Sequence, residues 1–129
     1  MAEHNVIARN DISRGDIGKH GEEIARKYLE DKGYGILEQN YRTKRGEIDI
    51  IAREHDMLVF VEVRTKHHEQ FGSPEETLNY KKRMKILRNA GAYVARVKHQ
   101  GPYRIDAVCV LLNQQQKVER ITHYENITS

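Results

Sequence analysis

The segment from Gly46 to Lys66 constrains this chain more than any other. Two strand-like runs, Glu47 to Arg53 and Leu58 to Lys66, alternate in character with period two across a short turn. In such a pair a slip of one residue turns every side chain to the opposite face. Setting Asp49 opposite Glu62 brings Ile48, Ile50 and Ala52 against Val63, Val61 and Val59 as one apolar face, whereas a one-residue shift sets Ile48 against Glu62. The first register is therefore expected. It sends Ile51, Phe60 and Leu58 to the other face and gathers Glu47, Asp49, Glu62 and Arg64 at the end far from the turn.

Three carboxylates so placed repel one another. Directly opposed side chains stand about 5 Å apart at Cβ, and at an effective dielectric of about 20 two negative charges at that range cost about 3 kcal/mol. One compensation is a hard divalent cation, since Mg²⁺ accepts carboxylate oxygens together with waters and phosphate. The other is Arg64 bridging to Glu47 or Glu62, or a carboxyl group with a raised pKa. The pattern alone leaves both open.

The rest of the chain supplies elements that would support such a hairpin. Ile17, Ile24, Ala25, Tyr28 and Leu29 recur at three- and four-residue steps, predicting an amphipathic helix over Asp16–Lys32 that stops at Gly33. Glu22 falls about 20° from Leu29 on that helix, at the margin of the buried stripe. A further strand is predicted over Ile36–Tyr41. Ser73-Pro74-Glu75-Glu76 has the form of a helix start, predicting one long helix to about Val97 with Leu87, Gly91 and Val94 facing inward. Strands over Arg104–Leu112 and Val118–Tyr124 complete the order αβββαββ. This is an α/β fold, a mixed five-stranded sheet flanked by helices.

With 129 residues, two prolines and no Pro/Gly-rich linker, the chain has the size and texture of one domain, expected over residues 15–125. Residues 1–14 read as a flexible arm and residues 126–129 as a tail. No apolar run approaches the length of a membrane span, and the N-terminus lacks the apolar stretch of a secretory signal, so a cytoplasmic protein without a membrane partner is expected. The single Cys109 lies in an apolar strand and reads as a small core residue. His67 and His68 lack a third ligand at zinc spacing. Twenty-two Lys and Arg against nineteen Asp and Glu give a net charge of only +3. The basic residues are clustered, however, at Arg42, Lys44 and Arg45, at Lys66, and from Lys81 to Arg88, as a polyanion-binding surface would require.

Gly18-x-x-Gly21-Glu22, Gly46-Glu47-Ile48-Asp49, Phe60-Val61-Glu62-Val63-Arg64, Phe71-Gly72 and Tyr103-Arg104-Ile105-Asp106 together resemble the bacterial YraN family of predicted endonucleases. That family is similar to archaeal Holliday-junction resolvases and to the restriction-endonuclease-like PD-(D/E)XK superfamily. The resemblance covers roughly residues 15–112. It implies a restriction-endonuclease-like sheet and a metal-dependent endonuclease acting on structured or branched DNA, with Mg²⁺ or Mn²⁺ as cofactor. Asp49 matches the central metal-binding aspartate, Glu62 the glutamate of the E-x-K element with the Val63 carbonyl as a third ligand, and Glu22 the helix glutamate aimed at the site. Arg64 stands where the wider superfamily has lysine, and would stabilise charge on phosphate rather than act as a base. Glu47 and Lys82 are accessory candidates, while Arg42, Lys44, Arg45 and Lys66 would grip nucleic acid. The same arginine supports an alternative, a non-catalytic nucleic-acid-binding module in which the old site survives as a salt-bridge cluster. A homodimer is suggested only by analogy with resolvases.

Overall fold

The apolar stripe of the first helix and the two faces of the central strands determine how the layers assemble. The computed structural model describes residues 14–68 and 72–128. Helix α1 (Arg14–Asp31) leads into β1 (Gly35–Thr43), β2 (Gly46–Glu54) and β3 (Met57–His67). A 3-10 turn at Pro74–Thr77 and helix α2 (Tyr80–Val97) then cross to β4 (Tyr103–Leu112), and β5 (Val118–Tyr124) closes the sheet. The predicted order αβββαββ is therefore the observed one. The five strands lie side by side in sequence order, antiparallel except for the parallel pair β3–β4 across which the α2 crossover passes. Of the termini, residues 1–13 of the expected arm lie outside the described residues, and Arg14 already opens α1.

Each face of the sheet has its own core. Ala25 and Leu29 of α1 pack on Ile50, Ala52, Val59, Val61, Val63, Val108 and Val110. On the other face Ile86, Ala90 and Tyr93 of α2 cover Ile48, Ile51, Leu58, Phe60 and Ile105. Cys109 is fully buried, and burial pushes its thiol up to about 12, so it is the inert core residue expected.

Three expectations change. The ladder pairs Ile50 with Val61 and Ala52 with Val59, as read, but Ile48 does not share their face and packs instead with Ile51 and Phe60 on the α2 side. Paired residues run only from Ile50 to Glu54 on β2, so β2 departs from β3 at Asp49 and is free to turn there. Nor is there one long helix from Pro74. The turn at Pro74–Thr77 ends at Leu78 (φ −92°, ψ 64°), and Asn79 starts α2 by accepting a hydrogen bond from the Lys82 N–H at 2.8 Å. The inward stripe of α2 is Ile86, Asn89, Ala90 and Tyr93, one residue out from the expected Leu87, Gly91 and Val94 and thus rotated by about 100°. Edge-on stacking of Tyr93 against Tyr41 and Phe60 accounts for the rotation. At the C-terminus Asn126 N–H donates to Asp106 Oδ1 (3.0 Å) and Ile127 N–H to the Ile105 carbonyl (2.8 Å).

A polar network is built around Asp106, the β4 partner of Val61. Asp106 is fully buried and accepts hydrogen bonds from Arg104 Nε (2.9 Å) and His123 Nε2 (2.8 Å). Lys32 Nζ donates to His123 Nδ1 at 2.9 Å, which leaves the ring proton on Nε2, facing Asp106. Burial alone would push the Asp106 carboxyl up; the hydrogen bonds from His123, Arg104 and Asn126 outweigh it and hold the group below its ordinary value. Among the described residues no helix is long and apolar enough to cross a membrane.

The contact between α1 and β3 gives the first test. A Cβ on Gly21 would run into the Thr65 side chain, so glycine is what lets α1 lie this close to the strand. Gly21→Ala is expected to destabilise the fold by about 1–3 kcal/mol in urea unfolding, against the small gain that alanine brings in an unobstructed helix.

Candidate active site

Where β2 and β3 separate, their ends and the two helices enclose a cleft of about 510 Å³. Glu22 comes from α1, Glu47 and Asp49 from β2, Glu62 to Lys66 from β3, Pro74 and Thr77 from the 3-10 turn and Lys82 from α2. The cleft thus brings together Glu22, Glu47, Asp49, Glu62, Val63, Arg64, Lys66 and Lys82. Arg42 reaches its rim, pairing with Glu47 at 3.2 Å, while Lys44 and Arg45 stand on the exposed β1–β2 turn outside it.

Within the cleft the charges separate into two groups. Carboxylate oxygens of Glu22, Glu47 and Asp49 lie within 4.8 Å of one another. Glu62, only 5% exposed, has Arg64 Nη1 at 3.3 Å and Lys82 Nζ at 3.7 Å from one oxygen, and its carboxyl also contacts that of Asp49. Glu47 therefore pairs with Arg42 and not with Arg64. Arg64 is placed by its Glu62 contact and by a longer hydrogen bond to the Thr77 carbonyl at 3.4 Å, and its buried Nε has no acceptor among the described residues.

Asp49 links the two groups. Its Oδ2 accepts the Val63 N–H at 2.8 Å, so a carboxylate occupies a backbone donor of β3 just beyond the last paired residues of the ladder. Burial raises the Asp49 carboxyl well above the ordinary carboxylate range, the nearby Glu62 charge raises it further, and the Val63 N–H opposes both. Glu62 is also raised, by burial above all, with Lys82 and then Arg64 pulling it back. Such an oxygen-only donor set with surplus negative charge suits a hard divalent cation, which Glu22, Glu47 and Asp49 could hold between them.

Two supporting contacts escaped sequence reasoning. Asn40 Nδ2 donates to Glu22 Oε1 at 2.9 Å, aiming the helix glutamate at β2; its positive φ of 49° inside a strand is a conformation asparagine tolerates, and an isolated Asn in a strand-like run was the available signal. The 3-10 turn bearing Thr77 is anchored to β5 through Glu75 and Arg120 at 2.7 Å, a contact between distant segments with no local signature.

The fold and the cleft define an α/β protein with a carboxylate-lined pocket at the open end of a strand pair. The chain belongs to the family described as Uncharacterised protein family UPF0102, whose model matches residues 21–110, and the resemblance drawn from the motifs is thereby borne out. A UPF0102 protein of Thermodesulfovibrio yellowstonii is 40% identical over 115 residues, spanning 89% of this chain and 97% of its own. Relatives from Clostridium botulinum strain 657 (43% identical; 76% of this chain and 81% of the relative) and Clostridium kluyveri (41%; 82% and 88%) are similar in the same way.

The raised carboxyl pKa has a direct consequence for stability. Below the ordinary aspartate value of about 4 Asp49 is protonated in both states. As pH rises past it the unfolded chain releases the proton while the folded one retains it, so stability falls with pH through the interval up to the raised value. In a chelator-treated sample Asp49→Asn is expected to remove that slope and to melt higher than the wild type at pH 8, by about 1–2 kcal/mol. An Asn variant that is less stable at pH 8 would contradict this electrostatic account.

Proposed function

We propose that this protein is a metal-dependent phosphodiesterase, an endonuclease that cuts structured or branched DNA with Mg²⁺ or Mn²⁺ as cofactor. The observation that carries the reading is the convergence of Glu22, Glu47 and Asp49 within 4.8 Å in a cleft whose opposite wall presents Arg64 and Lys82. When bound, such an ion neutralises phosphate oxygens and lowers the pKa of a coordinated water. The chain itself supplies position and charge. Asn40 and the Val63 N–H fix the orientations of Glu22 and Asp49. The Arg64 guanidinium stabilises the extra negative charge of a five-coordinate phosphate without serving as a base. Lys82 brings a second cation to the same wall from α2.

One observation favours a second reading. Glu62 is already compensated by Arg64 and Lys82, as in a nuclease-like site that binds nucleic acid without cutting it. That module would bind DNA equally well with chelator and would cut nothing.

Titration of Mn²⁺ into the protein by calorimetry, with cleavage of a panel of branched and flapped DNAs, tests the first reading. Wild type is expected to bind the ion and Asp49→Asn to lose at least tenfold in affinity, with cleavage falling about a hundredfold or more. Cleavage that survives Asp49→Asn or chelator would sink the proposal.

A further inference from the structure

Helix α2 carries Lys81, Lys82, Arg83, Lys85, Arg88 and Arg96 and no acidic residue. Three of these cations have structural duties: Lys82 faces Glu62, Arg83 donates to the Leu78 carbonyl, and Arg96 lies over the Tyr41 and Tyr93 rings. Lys81, Lys85 and Arg88 do not. All three are exposed, share one face at four- and three-residue spacing, and make no ion pair or hydrogen bond among the described residues. For the fold alone this is an unfavourable arrangement. Like charges at i,i+4 repel, and cations in the first turn oppose the positive end of the helix dipole. A sequence that breaks local rules in this way, with no internal compensation, marks a surface selected for something outside the chain.

The adjoining β1–β2 turn extends the same surface. The Lys85 side chain lies against Gly46, a Cβ on which would stand 3.4 Å from its Cε, and this brings the exposed Lys44 and Arg45 next to α2. The turn is fixed to the helix, since the Thr43 hydroxyl donates to the buried Asn89 Oδ1 at 3.0 Å and the Arg45 N–H donates to Thr43 Oγ1. Lys81 to Arg88 spans about 10 Å along the helix, enough for two successive phosphates of one strand, and the neighbouring Lys82 enters the cleft.

We propose that Lys81, Lys85 and Arg88, with Lys44 and Arg45, form a preorganised track for the phosphate backbone of a DNA duplex, holding the arm of the substrate that leads to the cleft. The inference rests on the nuclease reading for the identity of the polyanion, but its binding test does not require cleavage.

The test measures anisotropy of a fluorescein-labelled 20-base-pair duplex in EDTA from 50 to 250 mM salt. It compares wild type, the triple variant Lys81→Gln, Lys85→Gln, Arg88→Gln, and a charge-matched control, Lys27→Gln, Arg53→Gln, Lys117→Gln, built from exposed cations elsewhere. Each lost phosphate contact lowers the slope of log K against log salt by about 0.9. The α2 variant is expected to lose about 2–3 from the slope and at least tenfold in affinity, with the control near wild type. Because repulsion is relieved, its melting temperature should equal or exceed that of the wild type. Should it melt lower, Lys85→Gln alone, compared with Lys117→Gln for a loss of about one in slope, decides instead. Equal effects of the α2 and control variants, or no duplex binding by wild type at 50 mM salt, overturn the track. Its fate is separable from that of the active site: an α2-specific loss in a protein that never cuts DNA upholds the track alone, and cleavage with a neutral α2 variant upholds the active site alone.

Discussion

The hydrogen bond from the Val63 N–H to Asp49 Oδ2 is the contact on which the cleft depends. Two neighbouring strands ordinarily satisfy each other's backbone, and buried donors without partners are rare. Here the side chain of β2 takes over a backbone donor of β3, so the strands can part without leaving that donor unsatisfied. Everything at the open end follows from the parting. Ile48 turns to the α2 layer, Glu47 and Asp49 meet Glu22 of α1, and Glu62 is left to face Arg64 and Lys82.

The hairpin register could be read from the sequence because the apolar partners of Ile50 and Ala52 are unambiguous and a slip would have buried Glu62 against Ile48. The same argument failed for Ile48 because alternation describes a strand that remains paired, and this one leaves its partner at Asp49. Nor does pattern show which of several carboxylates will group: Glu47 had Arg64 as its nearest sequence-level partner, yet Arg42, across the β1–β2 turn, is the one it meets. The face of α2 was misplaced by one residue because Leu87, Gly91 and Val94 are as apolar as Ile86, Ala90 and Tyr93. Only the aromatic contacts of Tyr93 with β1 and β3 distinguish the two stripes, and those belong to the tertiary structure. Pro74 at a helix start was a sound local signal overridden five residues later by Asn79, a competing cap at the true start of α2.

The charges of this molecule oppose its stability in two places and support it in a third. Burial pushes the Asp49 and Glu62 carboxyls above their ordinary values, and the outer face of α2 concentrates cations that make no ion pair among the described residues. On β4, Asp106 sits in a network of Arg104, His123 and the Asn126 N–H, with its carboxyl held below its ordinary value. The contrast separates groups that maintain the fold from groups with a cation or an anion still to meet.

The two cores touch different faces of the sheet and share little beyond the strands between them. Glu22 moves with the α1 layer and Lys82 with the α2 layer, whereas Asp49 and Glu62 ride on the sheet. The cleft is therefore a three-body assembly rather than a notch in one rigid body: its carboxylate spacing records the docking of α1 on the sheet, and the Lys82 contact to Glu62 records the docking of α2. Sub-global opening of α1 would disperse the carboxylates and opening of α2 would withdraw Lys82, so the lifetime of the assembled cleft is set by the looser of the two layers and not by the global stability of the fold.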